Sequence, residues 1–154
     1  MPVVELEALA GKSRLMALDV GDRTVGLATG TTALAVASPL ETVRRTKFTA
    51  DAARLFALMD EHEADGLVIG LPVNMDGSEG RRCQSVRQFA DNLLALRDVE
   101  LAFWDERLST AAVTRTMIEA DLSRRKRAAA VDRLAAAYIL QGALERLRNL
   151  SGND

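Results

Sequence analysis

Three acids in the 154-residue sequence stand where hydrolytic chemistry could be assembled: Asp19 at the end of a short apolar run, Glu106 where a later extended segment gives out, and Asp132 in a stretch of helical register. On a helix, Asp132 shares a face with Ala135, Ala136 and Ile139, an apolar surface on which a lone carboxylate is desolvated unless a cation or hydrogen-bond donors compensate. It wants a metal ion or a basic neighbour. Ligands of open α/β sheets gather at strand carboxyl ends, so Asp19 and Glu106 can meet there if their strands lie near one another. Three convergent carboxylates form a hard-oxygen donor set for Mg2+ or Mn2+. A pair of such ions activates water and stabilises the leaving oxygen of an in-line phosphodiester displacement, which is nuclease chemistry. Each acid also has an ordinary explanation: turn formation near Gly21, an ion pair with Arg107, and helix-dipole placement for Asp132.

The rest of the composition narrows the chemistry. His62 is the only histidine and Cys83 the only cysteine, so no soft-ligand zinc site and no internal disulfide can form, and any metal must be held by oxygen. With 48% hydrophobic and 27% charged residues the chain is expected to be a globular domain rather than a disordered segment. No apolar run approaches the roughly 18 to 20 residues of a membrane helix, and the amino terminus lacks the pattern of a secretory signal, so a cytoplasmic protein is expected. The net charge of −2 argues at first against a polyanion partner. Its distribution argues otherwise. Cations cluster at Arg44, Arg45 and Lys47, at Arg81, Arg82 and Arg87, and most densely at Arg124, Arg125, Lys126 and Arg127, whereas acids crowd elsewhere, as in Asp60, Glu61 and Glu63. Each cluster reads either as part of a cationic face or as ordinary solvated surface. The aromatic content of 4% favours contacts to nucleic-acid backbone and shape over stacking on single-stranded bases.

The elements that must position these acids follow from periodicity. Residues 1–13 show no sustained period and are expected to be a flexible leader; residues 14–150 form one domain. Leu15 to Val20 and Thr24 to Thr29, joined by a turn at Gly21 to Arg23, read as a hairpin. Leu34 to Val43 reads as a third strand, with Pro39 favouring an edge. Ala52, Leu55, Phe56 and Met59 line one face of a helix, Leu67 to Gly70 is a brief strand, and the turn-forming loop 71–80 leaves its carboxyl end. A helix over 82–96 precedes a strand at 100–104; Ser109 or Thr110 caps another helix through Val113, Thr116, Met117 and Ala120. The stretch 123–127 reads as a loop or frayed turn, and a long, mostly buried helix from 128 to 148 closes the chain, with Asp132 in about its first turn. The order β-β-β-α-β-α-β-α-α predicts a single α/β domain with a mixed sheet and helices packed on it.

Four blocks of sequence carry a resemblance: 18–28 (LDVGDRTVGLA), 68–77 (VIGLPVNMDG), 105–110 (DERLST) and 131–140 (VDRLAAAYIL). In this order they resemble the signature blocks of the YqgF/RuvX family of bacterial RNase H-like nucleases, over about residues 14–146. The resemblance implies an RNase H-like fold with a five-stranded mixed sheet in the order 3-2-1-4-5. It also implies a divalent-metal nuclease of 5′-end maturation of pre-16S rRNA, with Holliday junction resolution as the alternative. The family's catalytic, metal-binding acids fall on Asp19, Glu106 and Asp132. Gly21 and Arg23 match its first turn, where a backbone amide and a guanidinium would approach a phosphate; Arg23 reads equally as a surface ion pair. Asn74, with Asp76 and Gly77, matches the loop lining the cleft, or an Asx-type turn. Arg107 is either a substrate contact or the partner of a nearby acid. Ala128, Ala129 and Ala130 replace lysines that many members carry before the last Asp, so phosphate binding is expected to lean on Arg124, Arg125, Lys126, Arg127 and Arg133.

The expected partner is therefore structured RNA, with branched DNA as the alternative, no membrane, and a monomer or homodimer; a junction resolvase would need the dimer. A nonenzymatic RNA-binding, ribosome-associated module is the competing class, but clustered carboxylates would repel the phosphates it binds. An actin-like ATPase would need a second lobe for which 154 residues leave no room. Cys83, Trp104 and Tyr138 are expected to be structural.

Overall fold

The structure, a computed structural model, describes residues 3–108 and 124–151, with side chains over 3–108 and 133–150. Strands β1 (Arg14–Val20), β2 (Thr24–Thr31) and β3 (Val36–Arg44) form an antiparallel meander. Helices α1 (Phe48–Glu61) and α2 (Arg81–Leu96) lead to β4 (Gly66–Leu71) and β5 (Leu101–Asp105), which run parallel to β1. The sheet order is β3-β2-β1-β4-β5, as the resemblance implies. Pro39 sits on the edge strand β3, where its missing N–H breaks no ladder, next to a register shift between Leu27 and Ala28.

Central strands β1 and β4 are covered on both faces and accordingly read as apolar runs rather than alternations. On one face Met16, Leu18 and Ile69 pack with Leu55, Met59 and Phe89 of α1 and α2. On the other, Leu15, Ala17 and Val68 pack with Ile139, Leu140 and Leu144 of the long helix α3 (Arg124–Ser151). Small residues let α3 lie close: a Cβ on Gly142 would stand 2.7 Å from the Trp104 ring, and one on Gly30 would stand 2.9 Å from Leu144. Gly30 pairs with Leu15 at the amino end of β1, while Ile139 lies against Gly70 at the carboxyl end of β4. α3 therefore runs with its amino end toward the carboxyl rim of the sheet.

Two expectations are corrected. The leader is packed: Leu6 and Leu9 are buried on a short 3-10 helix, Leu6–Gly11, and Val4 N–H donates to the Leu101 carbonyl at 2.9 Å. Two leucines three apart eclipse on a 3-10 helix and suffice to dock it, but they are too few to show a period. Arg124 to Arg127 form the first turn of α3 rather than a loop, because Arg and Lys are good helix formers and a lack of apolar residues speaks only of burial. Asp132 consequently lies in the third turn, where the helix dipole has faded and does not account for it. The helix expected around 113–120 and its cap fall outside the described residues. Among those described, no helix is long and apolar enough to cross a membrane.

Candidate active site

The register of the sheet brings two of the three acids together. Leu18 pairs with Ile69 on β4, and Gly70 pairs with Trp104 on β5, so Asp19, Gly70 and Glu106 follow one another across the carboxyl ends of adjacent strands. Asp19 continues the alternation of Leu15 and Ala17 and so belongs to the α3 face. Glu106 begins a 3-10 turn, Glu106–Leu108, directly after β5, and its Oε2 lies 3.1 Å from where a Cβ of Gly70 would be. That absent side chain is what admits the carboxylate and Ile139 to the same place. Both acids are deeply buried, with Asp19 7% and Glu106 8% exposed, and with Asp51 they are the buried charged side chains among the described residues. Asp132 is in α3, two turns ahead of Ile139; its side chain and those of Arg124, Arg125, Lys126 and Arg127 lie outside the described ones.

Around this pair the other expected residues serve their own loops. Gly21 N–H donates to the Thr24 carbonyl at 2.9 Å, so the amide expected to meet a phosphate is engaged within the hairpin turn; Arg23, beside it, is exposed. Asn74 closes the loop after β4: its N–H donates to the Ser78 carbonyl at 2.9 Å and its Nδ2 to Ser78 Oγ at 3.0 Å. Asp76 accepts from Ser78 Oγ and N–H, and with Arg107 nearby these hold its carboxyl below the usual value. Gly77 takes φ +90°, a left-handed conformation that strains a side chain. Arg107 donates to Asp105 through Nη2 at 2.6 Å, Nε at 3.1 Å and its N–H at 2.9 Å, and through Nη1 to the Met75 carbonyl at 3.3 Å. It thereby latches the β4 loop to the end of β5, and its guanidinium holds the Asp105 carboxyl below the ordinary range against partial burial.

Two residues have site roles that differ from anything the sequence assigns them: Gly70, read only as the end of a strand, and Arg45, read only as one of a cationic cluster. Gly70 had a signal, since an isolated glycine inside a strand often marks close approach of another group. For Arg45 the sequence signals charge but not the clamp: its Nη1 donates to the Gly21 carbonyl at 2.6 Å, its N–H to the Arg23 carbonyl at 2.8 Å, and its guanidinium lies 5.2 Å over the Phe89 ring. It ties the turn after Asp19 to α2. Cys83 is buried on α2, and burial pushes its thiol up, as befits a structural residue.

Comparison with known proteins defines the class first. The chain shares its fold with Thermus thermophilus RuvC, both free and in complex with a Holliday junction substrate; for the complex the TM-score is 0.53 at 12% identity, over 91% of this chain and 96% of that one. This is an RNase H-like domain with buried acids at the carboxyl rim of its sheet. Within that class the chain belongs to the RuvX family, whose model, described as a Holliday junction resolvase, matches residues 13–146. Relatives named as pre-16S rRNA nucleases include one from Paramagnetospirillum magneticum, 57% identical over 94% of this chain and 93% of its own. Another, from Phenylobacterium zucineum, is 57% identical over 96% and 97%.

A divalent metal fits the residues present. Two buried carboxylates on one face offer oxygen donors alone, suited to a hard cation, and the missing side chain of Gly70 lets the Glu106 carboxylate approach the strand end beside Ile139.

Proposed function

We propose that this chain is a divalent-metal-dependent nuclease that hydrolyses phosphodiester bonds in 5′-end processing of pre-16S rRNA, in the cytoplasm, with Asp19, Glu106 and Asp132 holding Mg2+ or Mn2+. The observation that carries the reading is the burial of Asp19 and Glu106 at the ends of strands flanking Gly70. Withdrawing a carboxylate from water costs free energy, and a hard cation is one of the partners that offset it. Asp132 supports it by position: on a helix whose amino end heads over the same rim, it stands about 10 Å along the axis from Ile139 and on the same stripe.

Bound there, such a metal lowers the pKa of a coordinated water and offsets the charge developing on the phosphate. The chain's own residues do the rest. Asp19 and Glu106 stand on strand ends rather than on mobile loops. The Arg107 latch fixes the loop carrying Asn74, Arg23 offers an exposed guanidinium to a phosphate, and Arg124, Arg125, Lys126 and Arg127 add charge at the start of α3. The test is cleavage of a pre-16S RNA fragment with its 5′ extension, with and without Mg2+ or Mn2+, with mapping of the new end. Metal-dependent shortening that Asp19→Asn abolishes, with RNA binding preserved, is expected; unchanged cleavage by Asp19→Asn would exclude the assignment. The description of the family model favours a second reading, junction resolution. In that case a four-way DNA junction is cut in preference to the RNA, and by a dimer rather than a monomer.

A further inference from the structure

Two sets of described cations bear on the carboxyl rim; Lys12, paired with Glu100, and Arg14, Arg133 and Arg146, exposed at the amino end of β1 and along α3, lie outside both. Arg54, Arg87, Arg97 and Arg107 are closed onto Glu41, Glu79, Asp60 and Asp105 at 2.6 or 2.7 Å. Arg23, Arg44, Lys47, Arg81 and Arg82 are exposed and form no ion pair with a described residue. Topology gathers the second set at one end of the molecule. Arg23 is in the β1–β2 turn, Arg44 pairs in register with Thr24 at the end of β3, Lys47 immediately precedes α1, and Arg81 and Arg82 open α2 after the loop from the carboxyl end of β4. Like charges so collected repel one another, and a bound polyanion relieves that repulsion.

Their neighbours in sequence, Asp22, Arg45 and Thr46, together with Ser85 one helical turn beyond Arg81 and Arg82, line a hollow of about 470 Å3 with Gln88, Asn92 and the Phe48 and Phe89 rings. Ser85, Gln88 and Asn92 recur at helical spacing on one exposed face of α2. The Arg45 guanidinium spends one N–H on the Gly21 carbonyl and has further donors. Hydroxyls, amides and guanidinium groups are what contact phosphate and sugar in nucleic-acid complexes. The hollow lies on the α2 side of the sheet, whereas Asp19 belongs to the α3 face, and the β1–β2 turn stands between them. Only a ligand with an extended backbone reaches both. The unpaired cations are likewise spread over four elements instead of closing on one small anion.

We infer that this hollow and its cationic rim bind the sugar–phosphate backbone of a nucleic acid passing over the β1–β2 turn from the carboxylate site, an interface separate from the basic start of α3. The inference rests on the nuclease reading of that site. It is tested by equilibrium binding in EDTA, across a salt series, of an RNA hairpin with a single-stranded tail and of a DNA duplex. The double variants Arg44→Ala/Lys47→Ala and Arg81→Ala/Arg82→Ala each remove two candidate phosphate contacts, so the slope of log K against log salt flattens by about 1.4 to 1.8. Arg54→Ala, whose partner is Glu41, leaves the slope unchanged, and Asp22→Asn, which removes an acid from the hollow, tightens binding. Loss on the RNA alone assigns the rim to RNA, and equal loss on both assigns it to either backbone. Unchanged slopes in both double variants overturn the inference while the nuclease reading stands, provided wild type cleaves. A wild type that neither binds nor cleaves overturns both.

Discussion

Replacing Gly70 with alanine tests the geometry of the site through stability and activity at once. The added methyl would overlap Ile139 Cδ1 and stand 3.1 Å from both Ile139 Cγ1 and Glu106 Oε2. Overfilling a packed core costs about 1–3 kcal/mol, and at this domain size each kcal/mol lowers Tm by roughly 2–4 °C, so a fall of about 2–12 °C is expected. At 3.1 Å the Glu106 carboxylate must give by a few tenths of an ångström, and since a 1 Å displacement can cost on the order of 100-fold in rate, a loss of roughly several-fold is expected. The two effects separate in a double mutant. Ile139→Val alone costs about 0.5–1.5 kcal/mol, but beside Gly70→Ala it removes the overlapping methyl, so the pair is more stable than the additive sum by about 1 kcal/mol. The contact of the new Cβ with Glu106 is untouched, and cleavage stays low. Thermal melts and cleavage rates of the four proteins decide it. If Gly70→Ala melts and cleaves like wild type, or if Ile139→Val restores both properties, Glu106 does not lie where the reasoning puts it.

Arg45→Met removes a charge-assisted hydrogen bond to the Gly21 carbonyl and the contact over Phe89, and is expected to cost about 2 kcal/mol in urea unfolding; a midpoint equal to wild type would show that the turn does not depend on the clamp. Asp105 is held below its unfolded pKa by Arg107, so its contribution is full above the ordinary carboxylate value and is lost as pH falls through the depressed one. With the two side chains 25% and 32% exposed, that contribution is about 1 kcal/mol or less. The stability gap between wild type and Asp105→Asn should therefore close below roughly pH 4, and a gap independent of pH would refute the pairing.

Much of the site was legible because its carriers stand where periodic segments end. The runs 15–20 and 100–104 locate the strand ends that bear Asp19 and Glu106, and the turn at Gly21 forces β2 back along β1. The relation of β5 to β4 and of α3 to the rim came from the resemblance, because pairing between distant segments leaves no periodic trace. The clamp of Arg45 on Gly21 and Phe89 was invisible for the same reason. The helical start of α3 at Arg124 to Arg127 has no apolar period to reveal it, and the docking of Leu6 and Leu9 rests on two residues, which make no pattern. From sequence alone, Asn74 and Arg107 each admit two readings. Asn74 closes its loop onto Ser78 and Arg107 pairs with Asp105, which is compatible with a supporting position at the mouth of the cleft.

Anomalous diffraction from crystals soaked in Mn2+ bears most directly on the metal site. The account predicts an ion coordinated by carboxylate oxygens of Asp19, Glu106 and Asp132, lost in crystals of Glu106→Gln. An empty site, with Asp132 turned to solvent or bridged to an arginine, would contradict it.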